Sequence, residues 1–318
     1  MLTAVNRGSG LVVKLLAFAA VLAVVAAACA RGPGPGSPLT TQGRVAAGSG
    51  SHATAAPRGS APSDGSAPSG GTTNERGTTT TGGSPTKPQV VDAPVDHGQT
   101  GSNGYWYLNG VTPALDVEID AVPGMAPSQG SLALLRDRLG QVTDKPGGID
   151  ILPVRTVAGS ETTWTDAQVR ATENHYRTTH NSSHTASIYL LFVDGQSEHQ
   201  GAIGVAFDSS SAVVFEQAIR DAATPLITPQ DIERADVVHE VGHLLSLVNL
   251  TYKSPRNHED PDPAHAGHSS DPNSVMYWAI DNVGVATLLG GHTAPPTTFD
   301  ADDLADLSDV KGGKLGPH

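Results

Sequence analysis

Thr228-Pro229-Gln230-Asp231 opens the most helical stretch of this chain, and His239-Glu240-Val241-Gly242-His243 lies near its end. Threonine, proline and an acid in that order make a helix start. The hydroxyl caps a free N–H, proline loses nothing in the first turn, and the carboxylate meets the positive end of the dipole. Ile232, Val237, Val238, Val241, Leu244, Leu245 and Val248 supply apolar faces, so the pattern predicts a buried helix from Thr228 to about Val248. Side chains four apart share a helix face, so His239 and His243 can turn two imidazoles toward one tetrahedral Zn²⁺. Glu240 then stands beside the ion rather than on it, where it can take a proton from water that the metal has acidified. Two helical histidines can also be satisfied by backbone or water. The small Gly242 and the histidines and methionine that follow favour a metal site.

A catalytic zinc needs a third protein ligand and one open position. His258, His265 and His268 are the candidates, all within residues 257–268, a segment rich in turn formers and therefore read as a loop. Asp260, Asp262 and Asp271 are weaker candidates. Glu259 is the last glutamate in the chain and sits near two prolines, which argues against a downstream glutamate ligand on a helix. Asn249 offers only an amide, a poor zinc ligand, and is read as helping to end the helix in a left-handed conformation. His175, His180, His184, His199 and His292 have no spacing that groups them and are read as surface residues.

At these residues the chain resembles the metzincins, whose extended motif is His-Glu-x-x-His-x-x-Gly-x-x-His, followed by a methionine turn under the metal. Ser246 and Asn249 stand at the glycine and third-histidine positions of that motif. Further on, His268-Ser269-Ser270-Asp271-Pro272-Asn273-Ser274-Val275-Met276 is similar to the archaemetzincin segment His-Cys-x-x-x-x-Cys-x-Met with both cysteines replaced by serine. The resemblance covers about residues 228–280. It implies His268 as the third ligand, Met276 as the Met-turn residue, and a loop inserted between helix and third ligand. The second, cysteine-rich zinc site of archaemetzincins has no cysteines to build it here, so one zinc is expected.

Upstream, Leu115–Val122 alternates as a strand, Ser131–Val142 reads as a helix, and Ile149–Val157 as a second strand after Pro146-Gly147-Gly148. Thr165–Arg177 fits a capped helix, and Ala186–Val193 is an apolar run expected to be buried on both faces. Ala202–Phe207 and Ala212–Phe215 are short β-like pieces suited to a hairpin or edge strand, and Phe299–Leu307 reads as a capped terminal helix. Strands alternating with helices give an α/β fold. The resemblance implies a zincin domain over residues 104–312, with a twisted mixed sheet, the active-site helix and an irregular C-terminal subdomain.

Residues 1–29 carry Arg7 and Lys14 ahead of an apolar run too short to span a membrane comfortably, the shape of an export signal. Its end, Val25-Ala26-Ala27-Ala28-Cys29, resembles a bacterial lipobox, which implies lipidation at Cys29; cleavage by ordinary signal peptidase near Ala28 or Ala30 is the other reading. Residues 30–103 are mostly Gly, Ser, Thr, Pro and Ala and read as a disordered tether. Cys29 is the only cysteine of 318 residues, which excludes an intramolecular disulfide and a thiolate zinc site. A net charge of −13 argues against nucleic acid and anionic membrane surfaces as partners. The expectation is an exported, monomeric zinc metalloendopeptidase acting on protein or peptide, surface-anchored or secreted. A non-catalytic, zinc-containing cell-surface binding lipoprotein is the alternative.

Overall fold

A computed structural model describes residues 93–285 and 294–314. The export signal, Cys29, the tether to residue 92 and His292 lie outside the described residues. Residues 93–103, which the sequence reading placed in the tether, are tied to the folded domain. Asn103 accepts from Val95 N–H at 3.0 Å and donates to the Ser209 carbonyl at 3.2 Å, while Gly98 N–H donates to Asp208 at 2.6 Å. Polar side chains without bulk hid this segment from a reading based on hydrophobicity.

The aromatic residues at 105–107 form a short helix, α1 (Gly104–Leu108), that buries Trp106 and Tyr107. Strand β1 (Ala114–Ala121) follows, with Leu115, Val117, Ile119 and Ala121 buried. Its opposite face carries Glu118 and Asp120, buried too. Asp120 is satisfied by Arg155 through two bonds of 2.8 Å and by the Tyr189 hydroxyl at 2.9 Å. Buried carboxylates persist when every lone pair finds such a partner.

Helix α2 (Gln129–Val142), capped by Ser128, leads to β2 (Gly148–Ile151) and β3 (Arg155–Thr156), both parallel to β1. The sequence suggested one strand here. Pro153 cannot donate to a ladder, and the register slips by one residue across it: Ala114 faces Gly148, whereas Asp120 faces Arg155. A small ladder of β4 (Thr163–Trp164) with β6 (Gln196–Ser197) flanks α3 (Asp166–Tyr176) and β5 (Thr185–Val193). Thr165 and Gln168 close a capping box at the start of α3. β5 is buried along almost its whole length, as its unbroken apolar run requires.

β7 (Gly204–Ala206) and β8 (Ser211–Phe215) form an antiparallel hairpin, and the main sheet runs β2-β1-β5-β8-β7 with β7 at its edge. All other pairings in that sheet are parallel. After α4 (Glu216–Ala222), helix α5 (Pro229–Leu244) packs against α2, α4, β7 and β8. Thr228 and Asp231 close its capping box, and it stops short of Val248 because Ser246 turns left-handed at φ 85°. Asn249 is left-handed as well, at φ 54°, but beyond the helix end. Among the described residues, isolated bridges and a 3₁₀ turn (Pro263–His265) follow, and then α6 (Ala301–Lys311), capped by Asp300. This is an α/β fold with a mixed sheet and an irregular C-terminal part.

Helix α5 carries its acids inward at Glu233, Asp236 and Glu240. Glu233 accepts from Ser128 N–H at 2.9 Å and from the Ser131 hydroxyl. Glu216 lies beside it with Oε1 unpartnered, and burial together with the Glu233 carboxylate pushes the Glu216 carboxyl up to about 9. A carboxyl raised on folding adds stability fully present below its unfolded pKa, and that stability fades as pH climbs toward the folded value. Thermal melts should therefore show Glu216→Gln more stable than wild type at about pH 8.5, by on the order of a few kcal/mol, with the gap shrinking toward about pH 5. An equal gap at both values would contradict the assignment.

Candidate metal centre

His239, Glu240 and His243 are buried on the last turns of α5. His239 Nδ1 lies 2.7 Å from the Val275 carbonyl, and His243 Nδ1 lies 2.8 Å from the Leu247 carbonyl. A carbonyl can only accept, so each ring carries its proton on Nδ1 and aims a bare lone pair from Nε2. The two Nε2 atoms stand 3.1 Å apart. Two lone pairs at that distance repel unless a cation sits between them.

Among the described residues, His268 is the later histidine brought to this pair. Its ring centroid lies 5.1 Å from that of His239 and 4.9 Å from that of His243. One nitrogen from each of the three rings falls within 4.8 Å of the others, a set that could hold a metal ion. His268 Nδ1 faces the His265 and Ala266 carbonyls at 3.3 Å each, and its buried Nε2 has no hydrogen-bond partner. All three rings thus have Nδ1 against backbone carbonyls; the Nε2 atoms of His239 and His243 face one another, and Nε2 of His268 faces Asp281 at 3.5 Å.

A small network delivers His268. Asp260 N–H donates to the His268 carbonyl at 2.8 Å, and Ser270 N–H to that of His258 at 2.9 Å. Asn249 donates to Glu259 at 2.7 Å, and Glu259 accepts from Gly267 N–H at 3.0 Å, which ties the loop to the end of α5. His258, an alternative ligand in the sequence reading, points away: its Nε2 meets Asp306 at 2.9 Å and its Nδ1 faces Asp303 at 3.6 Å. His265, the other alternative, stacks on Trp278 at 3.9 Å between centroids. Neither approaches the pair, since each ring is held by a partner outside the cluster. His175, His180, His184 and His199 are exposed.

Met276 is buried, and Gly242 is what admits it: a Cβ on Gly242 would run into its sulfur. Ser274 fixes the turn by accepting from Met276 N–H at 2.8 Å and donating to Asp303 at 2.5 Å. The same turn presents the Val275 carbonyl to His239. Ser269 accepts from Asp271 N–H at 3.1 Å.

Glu240 is buried with Oε2 unpartnered. Burial, then Asp236 and Asp281, holds its carboxyl well above the usual range, against a pull from Ala206 N–H. Burial, then the charge of His268, lowers His239 to about 4, and burial with His239 holds His243 well below its ordinary value. His268 goes the other way: burial opposes its charged form, but Asp281 outweighs burial. Asp281 and Asp236 are the site residues that sequence reasoning missed. Asp236 was legible as an acid at i−4 from Glu240, on the same face of the helix. Asp281 had no such spacing.

No protein-family model and no curated protein matches the chain. Among solved structures it is similar to archaemetzincin from Methanopyrus kandleri, at 14 % identity and a TM-score of 0.37, over 63 % of this chain and 96 % of that one. It is also similar to archaemetzincin from Archaeoglobus fulgidus complexed with malonate, at 13 % identity and a TM-score of 0.34, over 61 % and 99 %.

Gly204 on β7 sits directly over the acids, and a Cβ there would stand 2.6 Å from Glu240 Oε1 and 2.7 Å from both Asp236 oxygens. Gly204→Ala should cost about 1–3 kcal/mol, read as a lowered melting temperature. An unchanged melting temperature would show that β7 and α5 are not in this close contact.

Proposed function

We propose that this chain is a zinc-dependent peptidase whose metal is held by His239, His243 and His268. The observation that carries the reading is the pair of unprotonated Nε2 atoms at 3.1 Å with a third, unpartnered Nε2 beside them. The donor set is three neutral imidazoles, which suits zinc. Zinc bound there supplies a Lewis acid that polarises a carbonyl and acidifies water.

Glu240 does the proton work. Its free Oε2 accepts the proton of the attacking water and hands it to the leaving amine. The hydrophobic packing of α5 keeps the carboxyl poised, since burial favours its protonated form and a nearby cation favours the ionised one. Substrate recognition falls to β7. Phe207 N–H and the Ile203 carbonyl bond to β8, so by strand alternation Gly204 turns its main-chain groups the other way, where an extended peptide can add, while Ala206 on the same side is already engaged by Glu240 and by the Thr100 hydroxyl at 3.0 Å. The N-terminal sequence supports export, with Cys29 as a lipid attachment point.

Metal analysis and a quenched-peptide assay test the reading together. Glu240→Gln should retain one zinc per chain and lose turnover by a factor of 10² or more, of the order general-base catalysis supplies. His239→Ala should lose both zinc and turnover. A wild-type protein that binds zinc but cleaves nothing would favour the non-catalytic binding protein instead.

A further inference from the structure

We infer that the lane for a peptide along β7 is closed at both ends, so that this site takes short peptides of about three or four residues rather than long chains or loops of folded proteins. This deepens the reading above and rests on it. A peptide that adds to a sheet edge draws affinity from main-chain bonds to every second residue of the edge strand. Its reach is therefore set by how much of that edge is open.

The upstream end is occupied by the chain itself. The Ile203 carbonyl accepts from Phe215 N–H at 2.8 Å on the β8 side, whereas Ile203 N–H points outward and donates to the Asp281 carbonyl at 2.8 Å. Val283 N–H donates to the Gly201 carbonyl at 2.8 Å, and Ala202 bridges antiparallel to Asn282. Residues 281–283 thus lie against 201–203 where the next strand would run. An incoming peptide must stop short of them.

The downstream end is crossed by the segment ahead of α1. The Thr100 hydroxyl donates to the Ala206 carbonyl at 3.0 Å, and Ala206 N–H is turned to the Glu240 carboxyl. That segment is anchored on both sides of Thr100. Before it, Gly98 N–H donates to Asp208 at 2.6 Å and His97 Nδ1 meets the same carboxylate at 2.8 Å. After it, the chain lies so close to the end of α5 that a Cβ on Gly101 would stand 2.9 Å from Ser246 Cα, and one on Gly104 2.7 Å from the Leu245 carbonyl oxygen. Thr100 cannot slide aside without breaking these contacts. From Ile203 to Ala206 the strand advances by about 10 Å, at about 3.3 Å per residue. Among the described residues, Gly204 is the position within that span left to bond a substrate's main chain. A short peptide fits the span, and a longer one meets Thr100 at one end and Asn282 at the other.

Zinc-loaded full-length protein tests this on unlabelled peptides of one repeating composition and increasing length, with products counted by mass spectrometry. Wild type should cleave peptides of about three or four residues with kcat/KM roughly tenfold or more above that for peptides of about twelve, and should leave unfolded casein intact. Thr100→Ala frees the Ala206 carbonyl and should raise the ratio of long-peptide to short-peptide kcat/KM by roughly fivefold or more. Thr100→Ser, which keeps the hydroxyl, should match wild type. The wild-type length series decides by itself should Thr100→Ala fail to fold. Equal kcat/KM at every length in wild type, or a ratio that folded Thr100→Ala leaves unchanged, would overturn the closure alone and leave the three-histidine peptidase standing. A zinc-loaded wild type that cleaves no peptide of any length would overturn the peptidase reading and this one with it.

Discussion

Two buried imidazole nitrogens, neither carrying a proton, face one another at 3.1 Å at the end of α5. Backbone carbonyls enforce the arrangement by claiming both Nδ1 protons, and burial disfavours protonation that would relieve it. In water such a pair would rotate apart or take up a proton. Here packing around α5 prevents the first and burial opposes the second, which leaves a pair that the proposed cation would satisfy. Much of the surrounding structure can be understood as scaffolding for that pair.

The scaffolding is divided between the two parts of the domain. The sheet and α2 fix the helix from one side, and the Ser274–Met276 turn fixes it from the other through the Val275 carbonyl and the Met276 sulfur against Gly242. The loop that brings His268 has almost no hydrophobic content, and its order comes from polar anchors. His258 with Asp306, Asn249 with Glu259, and Arg256 with Asp306 and Asp309 pin it to α5 and α6. Ion pairs with one fully buried partner are stabilising only while both members remain. The loop therefore holds position by mutual satisfaction of charges rather than by burial of apolar area.

That division explains what could be read from the sequence. The helix with its histidines, the apolar β5 and the capped helices α3 and α6 follow from periodicity and local capping chemistry, which need only neighbouring residues. The break at Pro153 and the left-handed turn at Ser246 were less legible, because each depends on how the chain pairs or packs afterwards. Among three loop histidines, composition could not choose. His258 is held away from the histidine pair by acids on α6, some forty-odd residues along the chain, and His265 by stacking on Trp278. Asp281 and the covering role of Gly204 arise from contacts between segments far apart in sequence, and no spacing rule points to them.

Everything rests on three Nε2 atoms meeting at one point. Crystals grown with zinc and measured on both sides of the zinc absorption edge would locate the ion directly. The account predicts a single anomalous peak about 2.0–2.1 Å from Nε2 of His239, His243 and His268. A peak beside His258 and Asp303, or none within reach of the three rings, would contradict it.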